Sequence, residues 1–193
     1  MFADHFDFTH PLQWTVDGVL SEVECDALLE RYREGPWLEA TVNRAEGRAV
    51  DRTIRDNHLA LVDDAALAGL LLERLRPALP ERLMHMTLSG IKSRMRCYRY
   101  ERGEHFGPHG DQSYAGGPGE RSLLTLMVYL NDDFEGGRTA FLEPREQIIE
   151  PRRGRALLFQ HMVLHEGRAV TRGTKYVLRT DVFYRDSPVA PRG

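Results

Sequence analysis

The sequence predicts an α+β fold, with helices first and then a strand-rich half closed as a sandwich or jelly roll. Three observations predict it. Apolar residues recur near helical spacing from Cys25 to Leu83; the period falls to two after Gly90; and Gly or Pro corners then punctuate the chain at short intervals. Helices segregated from strands mark the α+β class, and regular short strands with tight corners mark packed sheets. The 193 residues are expected to form a single domain. Within it, 1–89 hold a lead-in and supporting helices, 90–185 the strand core and 186–193 a tail.

Each element has its own reason. Residues 1–20 read as an extended lead-in broken by Pro11 and Gly18. Ser21-Glu-Val-Glu24 is a capping-box pattern ahead of Cys25, Ala27, Leu28 and Leu29, so a helix starts there. Gly35-Pro36 stops it. Residues 41–57 are polar and Arg-rich, with Arg44, Arg48, Arg52 and Arg55, and read as a loop or weak strands. Asp63-Asp64 can cap a second helix carrying Leu67, Leu70, Leu71, Leu75 and Leu83, with Pro77 and Pro80 interrupting. Residues 93–100, 123–130 and 175–184 then alternate as strands. Short apolar runs at 139–141, 147–149, 156–159 and 162–164 bring the expected total to seven or eight strands. Turn signals at Gly103, Gly107-Pro108, Gly116–Gly119, Asp132-Asp133, Gly136-Gly137, Gly154 and Gly173 separate them.

Composition narrows the function classes. The net charge of −3 and pI near 6.2 argue against a large nucleic-acid surface. No apolar run approaches about 18 residues, so no membrane span is expected. The acidic start lacks a signal-peptide core, and Cys25 and Cys97 are too few for a disulfide scaffold, so a reducing cytoplasm is the expected compartment. Of 26 basic residues only Lys92 and Lys175 are lysine.

The chemistry concentrates in a few polar residues. His109-Gly110-Asp111 is an HxD triplet; with 8 His in the chain, chance supplies roughly half such a triplet, so its setting matters. It follows a strand and a Gly/Pro turn. His165 ends a later apolar run, and Lys175 opens another strand. Two imidazoles and one carboxylate on one side of a metal leave positions open for other ligands, as in non-haem Fe(II) oxygenases. The pairs His105/His109 and His161/His165 share an H-x3-H spacing. Gly107-Pro108 argues against a helical zinc site through the first, and the second lacks the Glu of H-E-x-x-H.

Tyr100-Glu-Arg-Gly-Glu-His-Phe-Gly-Pro-His109-Gly-Asp111 resembles the metal-binding strand of the prolyl 4-hydroxylase-like 2-oxoglutarate/Fe(II) dioxygenases. The stretches 126–131, 136–141, 154–159, 165–167 and 173–179 resemble the family in the same order, and the likeness covers about 90–185. It implies a double-stranded β-helix (jelly-roll) catalytic core over 90–185. It implies that His109, Asp111 and His165 bind Fe(II) and that Lys175 pairs with the distal carboxylate of 2-oxoglutarate. Tyr100 or Tyr129 would donate to that carboxylate, and O2 completes the cofactors, with ascorbate an open requirement. The implied reaction is C–H hydroxylation of a prolyl-type residue in a peptide or protein, releasing succinate and CO2. A free amino acid or small natural product is the alternative substrate, with nucleobase demethylation third. A different class, a non-catalytic metal- or ligand-binding jelly roll or a zinc hydrolase, also fits the donors. The protein is expected to be a monomer or homodimer.

Strand parity adds one expectation. If Lys175 points inward, so do Val177, Arg179, Asp181 and Phe183, while Tyr176, Leu178, Thr180, Val182 and Tyr184 pack outward. Inward charges need partners. Arg179 is therefore expected to hold an anionic group of cosubstrate or substrate, with Asp181 as its partner or a substrate contact. Tyr98 is expected in plain core, His161 as structural or near the site, His105 in a loop, Glu166 at or near the surface, and Cys25 buried and inert. Arg94, Arg96, Arg99 and Arg102 read as a solvated strand face. The segments 42–57 and 112–121 are expected to act as substrate-selecting lids.

Overall fold

The computed structural model describes residues 6–33, 35–44, 47–143 and 145–187. The start of the expected lead-in, the tail beyond Ser187, and Ala45-Glu46 of the polar segment, with the side chains of Arg44 and Arg48, lie outside the described residues.

The chain opens with strand β1 (Gln13–Val16) and helix α1 (Glu22–Arg33). The capping box is formed: the Ser21 backbone N–H donates to Glu24 Oε2 at 2.8 Å, and the Glu24 N–H donates to Ser21 Oγ at 3.3 Å. Three short strands follow, β2 (Leu38–Glu39), β3 (Val42–Arg44) and β4 (Gly47–Ala49), then β5 (His58–Asp63). Helix α2 (Ala65–Leu75) begins where Asp64 Oδ1 accepts the Leu67 N–H at 2.9 Å. A 3-10 turn over Arg76–Ala78, with Pro77 near its start, ends the helical segment.

Leu83 is therefore not part of α2. It lies on β6 (Arg82–Leu83), which pairs with β7 (Met86–Ile91) through a tight turn. That turn holds Met84 and His85 at φ +49° and +65°, a left-handed conformation that costs a side-chain-bearing residue about 1–2 kcal/mol. Asp7 Oδ2 accepts the Met84 N–H at 2.9 Å, and Ser187 Oγ donates to the His85 carbonyl at 3.2 Å.

The second half is all strand and turn: β8 (Arg94–Tyr100), β9 (Phe106–His109), β10 (Ala115–Gly117), β11 (Glu120–Tyr129), β12 (Glu135–Gly136), β13 (Thr139–Phe141), β14 (Gln147–Ile149), β15 (Ala156–Gln160), β16 (His165–Gly167), β17 (Val170–Arg172) and β18 (Lys175–Asp186). The expected count of seven or eight was low, because two-to-four-residue strands carry too little alternation to register. The apolar run 162–164 is not a strand. Met162 sits at φ +70° in a turn, and the strand begins at His165.

Two sheets make the jelly roll. The large one runs β1-β15-β11-β18-β8-β5-β2, with β7 and β10 added at its flanks and β6 on β7. The small one runs β14-β13-β16-β9. Alternation along the large sheet sorts its two faces. Met95, Cys97, Leu124, Leu126, Val128, Leu178, Val182 and Tyr184 pack outward on Leu28, Leu29, Leu71 and Leu75 of the helices. Tyr129, Leu157, Phe159 and Val177 point inward and meet Phe141 and Val163. The outward set on β18 matches the expected parity. Burial of these side chains is the main source of stability, at about 25 cal/mol per Å² of apolar surface removed from water.

The candidate metal centre and its pocket

His109 and His165 come from neighbouring strands of the small sheet and are direct cross-strand partners. Strand pairing therefore brings together two residues 56 positions apart. Asp111 follows β9 by two residues, and the ligand atoms of all three side chains lie within 4.8 Å of one another. The ring orientations suit a metal. His109 Nδ1 lies 2.8 Å from the Gly107 carbonyl, and His165 Nδ1 lies 2.9 Å from the Val163 carbonyl. Each carbonyl fixes the proton on Nδ1 and leaves the Nε2 lone pair free for a metal, as in ligating imidazoles. Burial and the neighbouring His165 hold His109 down to about 3, so it is neutral and able to ligate. Burial likewise lowers His165.

Asp111 is held through one oxygen. Its Oδ2 accepts from Thr125 Oγ1 at 2.6 Å and meets Arg179 Nη2 at 2.9 Å. Its other oxygen has no such partners and stays available to a metal. Burial alone would raise the Asp111 carboxyl, but Arg179, His165, His109 and Thr125 together keep it well below the usual range. Two neutral imidazoles and one carboxylate, each with its far side fixed by the protein, form a donor set that fits Fe(II).

Lys175 opens β18 opposite Tyr100 and is 2% exposed. Its Nζ donates to the Gly137 carbonyl and lies 5.2 Å from the Tyr100 ring centre and 5.5 Å from that of Tyr129. Burial drops its pKa to about 7. Among the described residues no carboxylate pairs with it. Both candidate tyrosines thus flank the same ammonium group. The Tyr129 hydroxyl already shares a hydrogen bond with Thr139 Oγ1 at 2.8 Å.

Arg179 and Asp181 point inward as parity requires, and Asp181 is Arg179's partner at 3.3 Å. The anion nearest Arg179 is Asp111 itself. Asp181 is fully buried and also takes Arg96 at 3.2 Å and the Tyr114 hydroxyl at 2.6 Å. His161 belongs to the same network. Its Nδ1 lies 3.1 Å from Thr125 Oγ1, and its Nε2 lies 3.0 Å from Ser122 Oγ. Burial lowers it to about 4, so it stays neutral.

Several residues stand where their local sequence carries no hint of it. Tyr98 is buried in a cluster with Tyr100 and Val170, as expected, but its phenol also meets arginines. Burial would raise its phenol, but Arg55, Arg179 and Arg96 outweigh that and lower it. Arg96 is half-buried against Asp181 rather than on a solvated face. Arg55, from the polar segment, is 7% exposed. Its guanidinium lies 4.6 Å from the centre of the Tyr98 ring and 4.2 Å from that of Phe106, and Phe106 stacks on His109 at 3.5 Å. The segment 112–121 is a hairpin, β10 against β11, fastened by Ser113 and Tyr114 to Ser122. Glu166 pairs with Arg168, and His105 with Asp56. Cys25 and Cys97 are buried and unpaired. Among the described residues no helix is long and apolar enough to cross a membrane.

Comparison with known proteins agrees with this geometry. The 2OG-Fe(II) oxygenase superfamily matches residues 95–180. The chain is 29% identical over 176 residues to the multifunctional procollagen lysine hydroxylase and glycosyltransferase of Rattus norvegicus, covering 83% of this chain and 22% of that protein. It is 24% identical over 193 residues to probable prolyl 4-hydroxylase 10 of Arabidopsis thaliana, covering 81% and 63%. The chain thus spans about a fifth and under two-thirds of these relatives. A Trichoplax adhaerens prolyl hydroxylase, solved with a hypoxia inducible factor peptide fragment, has the same fold: TM-score 0.68, 19% identity, 92% of this chain and 85% of that one. The matched stretch contains every residue of the triad, so the site lies within the part of the chain that is similar to the 2OG-Fe(II) oxygenase superfamily.

Proposed function

We propose that this protein is an Fe(II)- and 2-oxoglutarate-dependent dioxygenase that hydroxylates a prolyl-type residue in a peptide or protein. The observation that carries the reading is the triad, with both imidazoles held at Nδ1 by backbone carbonyls so that Nε2 is left to a metal. Iron with 2-oxoglutarate and O2 supplies the oxidising chemistry, in which the cosubstrate leaves as succinate and CO2 and one oxygen atom enters the C–H bond. The chain's residues do the rest. His109, Asp111 and His165 hold the metal. Lys175 binds the distal carboxylate of 2-oxoglutarate as a compact charge with three donors, between Tyr100 and Tyr129. Thr125 and Arg179 hold Asp111 in one orientation. The inward apolar set, Phe141, Phe159 and Val177, keeps water from the floor of the site.

The peptide reading draws on the relatives, whose names are those of prolyl and lysyl hydroxylases. A free amino acid is the second reading, favoured by the charged wall of Arg55, Arg96, Arg179 and Asp181. The test is anaerobic. Fe(II) and then 2-oxoglutarate are added to metal-free protein, and a visible metal-to-ligand charge-transfer band is sought. A band that is lost in His109→Ala and weakened in Lys175→Ala supports the assignment. Iron binding without a band would leave a metal-binding module as the better description.

A further inference from the structure

Besides Lys175, one further buried cation of the site lacks a counter-charge among the described residues. Arg96 and Arg179 both reach Asp181, and Arg179 also reaches Asp111. Arg55 has neither. Among the described residues no carboxylate lies within ion-pair distance of it, its Nε is used by Asn57 Oδ1 at 2.7 Å, and its Nη2 is buried with no hydrogen-bond partner. A guanidinium cannot escape this by losing its proton, and a buried charged donor left unmatched costs several kcal/mol. The group is also rigidly aimed. Its faces are covered by the Tyr98 and Phe106 rings. Its neighbours are tied to β9 and the residue before it: Gly107 N–H donates to the Ile54 carbonyl at 2.7 Å, and His105 N–H donates to the Asp56 side chain at 2.7 Å. A free-swinging surface arginine would show none of this.

We propose that Arg55, with Tyr98 beside it, is a carboxylate-binding subsite for the primary substrate. This rests on the dioxygenase reading above. The ligand must be an anion with planar acceptors, because a neutral carbonyl would leave the buried charge uncompensated. Two acids enter such a site, 2-oxoglutarate and any acidic substrate. The first has its cation in Lys175 for one end and the metal for the other, so the substrate is the source that remains. Phe106 lies between Arg55 and the metal-ligating His109, in ring contact with both. The acid group therefore sits close to the attacked C–H, on the hydroxylated residue itself or on its neighbour. The substrate class is thus a prolyl unit bearing a free carboxylate or followed by an acidic residue.

The test uses matched probe pairs on the protein loaded with Fe(II) and 2-oxoglutarate without oxygen. N-acetyl-proline is compared with N-acetyl-prolinamide, and N-acetyl-Pro-Glu-amide with N-acetyl-Pro-Gln-amide, by titration calorimetry. The expected result is at least tenfold tighter binding of the acid in one pair. In Arg55→Gln that preference falls to near unity while 2-oxoglutarate affinity changes less than twofold; Arg55→Lys, which keeps the charge, retains part of it. Tyr98→Phe is the backup should Arg55→Gln not fold, and is expected to reduce the preference severalfold. Equal binding within both pairs, or no binding of any probe, overturns the proposal. So does an Arg55→Gln protein that keeps the preference or loses 2-oxoglutarate tenfold, the latter because the cosubstrate would then be the acid held. Failure to form the charge-transfer band before any probe is added would instead sink the dioxygenase reading.

Discussion

Asp111 shows how little of a metal ligand's behaviour is its own. Thr125 and Arg179 occupy one carboxylate oxygen, so the other is presented at a fixed angle. Thr125→Val removes one of these holds while keeping shape. Its Fe(II) affinity, read by equilibrium dialysis, is expected to fall about tenfold with little change in thermal midpoint. Arg179→Met is a harsher change, because it leaves Asp181 and Asp111 without their shared cation; a loss of about 3–5 kcal/mol of stability is expected from chemical denaturation. Lys175 makes a pH prediction. Burial sets it near 7, and an incoming carboxylate favours its charged form. Affinity for 2-oxoglutarate is therefore highest below about pH 7 and weakens as pH rises, by up to about tenfold per unit. Lys175→Arg, charged throughout, should flatten that slope. The clustering of the three candidate ligands and the inward position of Lys175 were legible in sequence because each has a recognisable local setting. Arg55, Tyr98 and Thr125 were not, since their roles depend on partners that strand pairing brings from distant positions.

At the scale of elements, short-range chemistry told the truth and long-range chemistry did not. The Ser21 capping box and the Asp64 cap are contained within one turn of chain, and both form as written. Leu83 continued the apolar spacing of α2 only on paper, because Pro77 and Pro80 had already turned the backbone. Met162 looked like strand but bends left-handed so that its N–H can donate to the Asp111 carbonyl at 2.9 Å. The docking of α1 offers a test of one corner. Gly154, at φ +75°, accepts the N–H groups of Val19 and Leu20 through its carbonyl, and a Cβ there would stand 2.0 Å from the Leu20 carbonyl oxygen. Gly154→Ala is expected to destabilise by about 2–4 kcal/mol in urea denaturation, because both the backbone angle and the contact resist it. The triad should survive in the folded fraction, since β15 carries none of its ligands.

Across the whole molecule the candidate metal site spans both layers. His109 and His165 belong to the small sheet, whereas Asp111 is bound to Thr125 and Arg179 of the large one. A bound divalent ion therefore ties sheet to sheet, and the unfolded chain has no such site. At 100 times its dissociation constant, Fe(II) or Zn(II) is expected to add about 2.7 kcal/mol of stability. A calorimetric midpoint raised by about 5–10 °C would show it, and His109→Ala should abolish the rise.

The hairpin between β6 and β7 has a consequence for chain connectivity. Asp7 and Ser187, near opposite ends of the described chain, both hydrogen-bond its left-handed turn. Asp7 and Ser187 are therefore neighbours, held by a strained corner. A short linker can join them, and the chain can be reopened between Met84 and His85. Such a circular permutant would begin and end at a left-handed turn, releasing its strain while keeping the order of the strands that carry the candidate metal ligands.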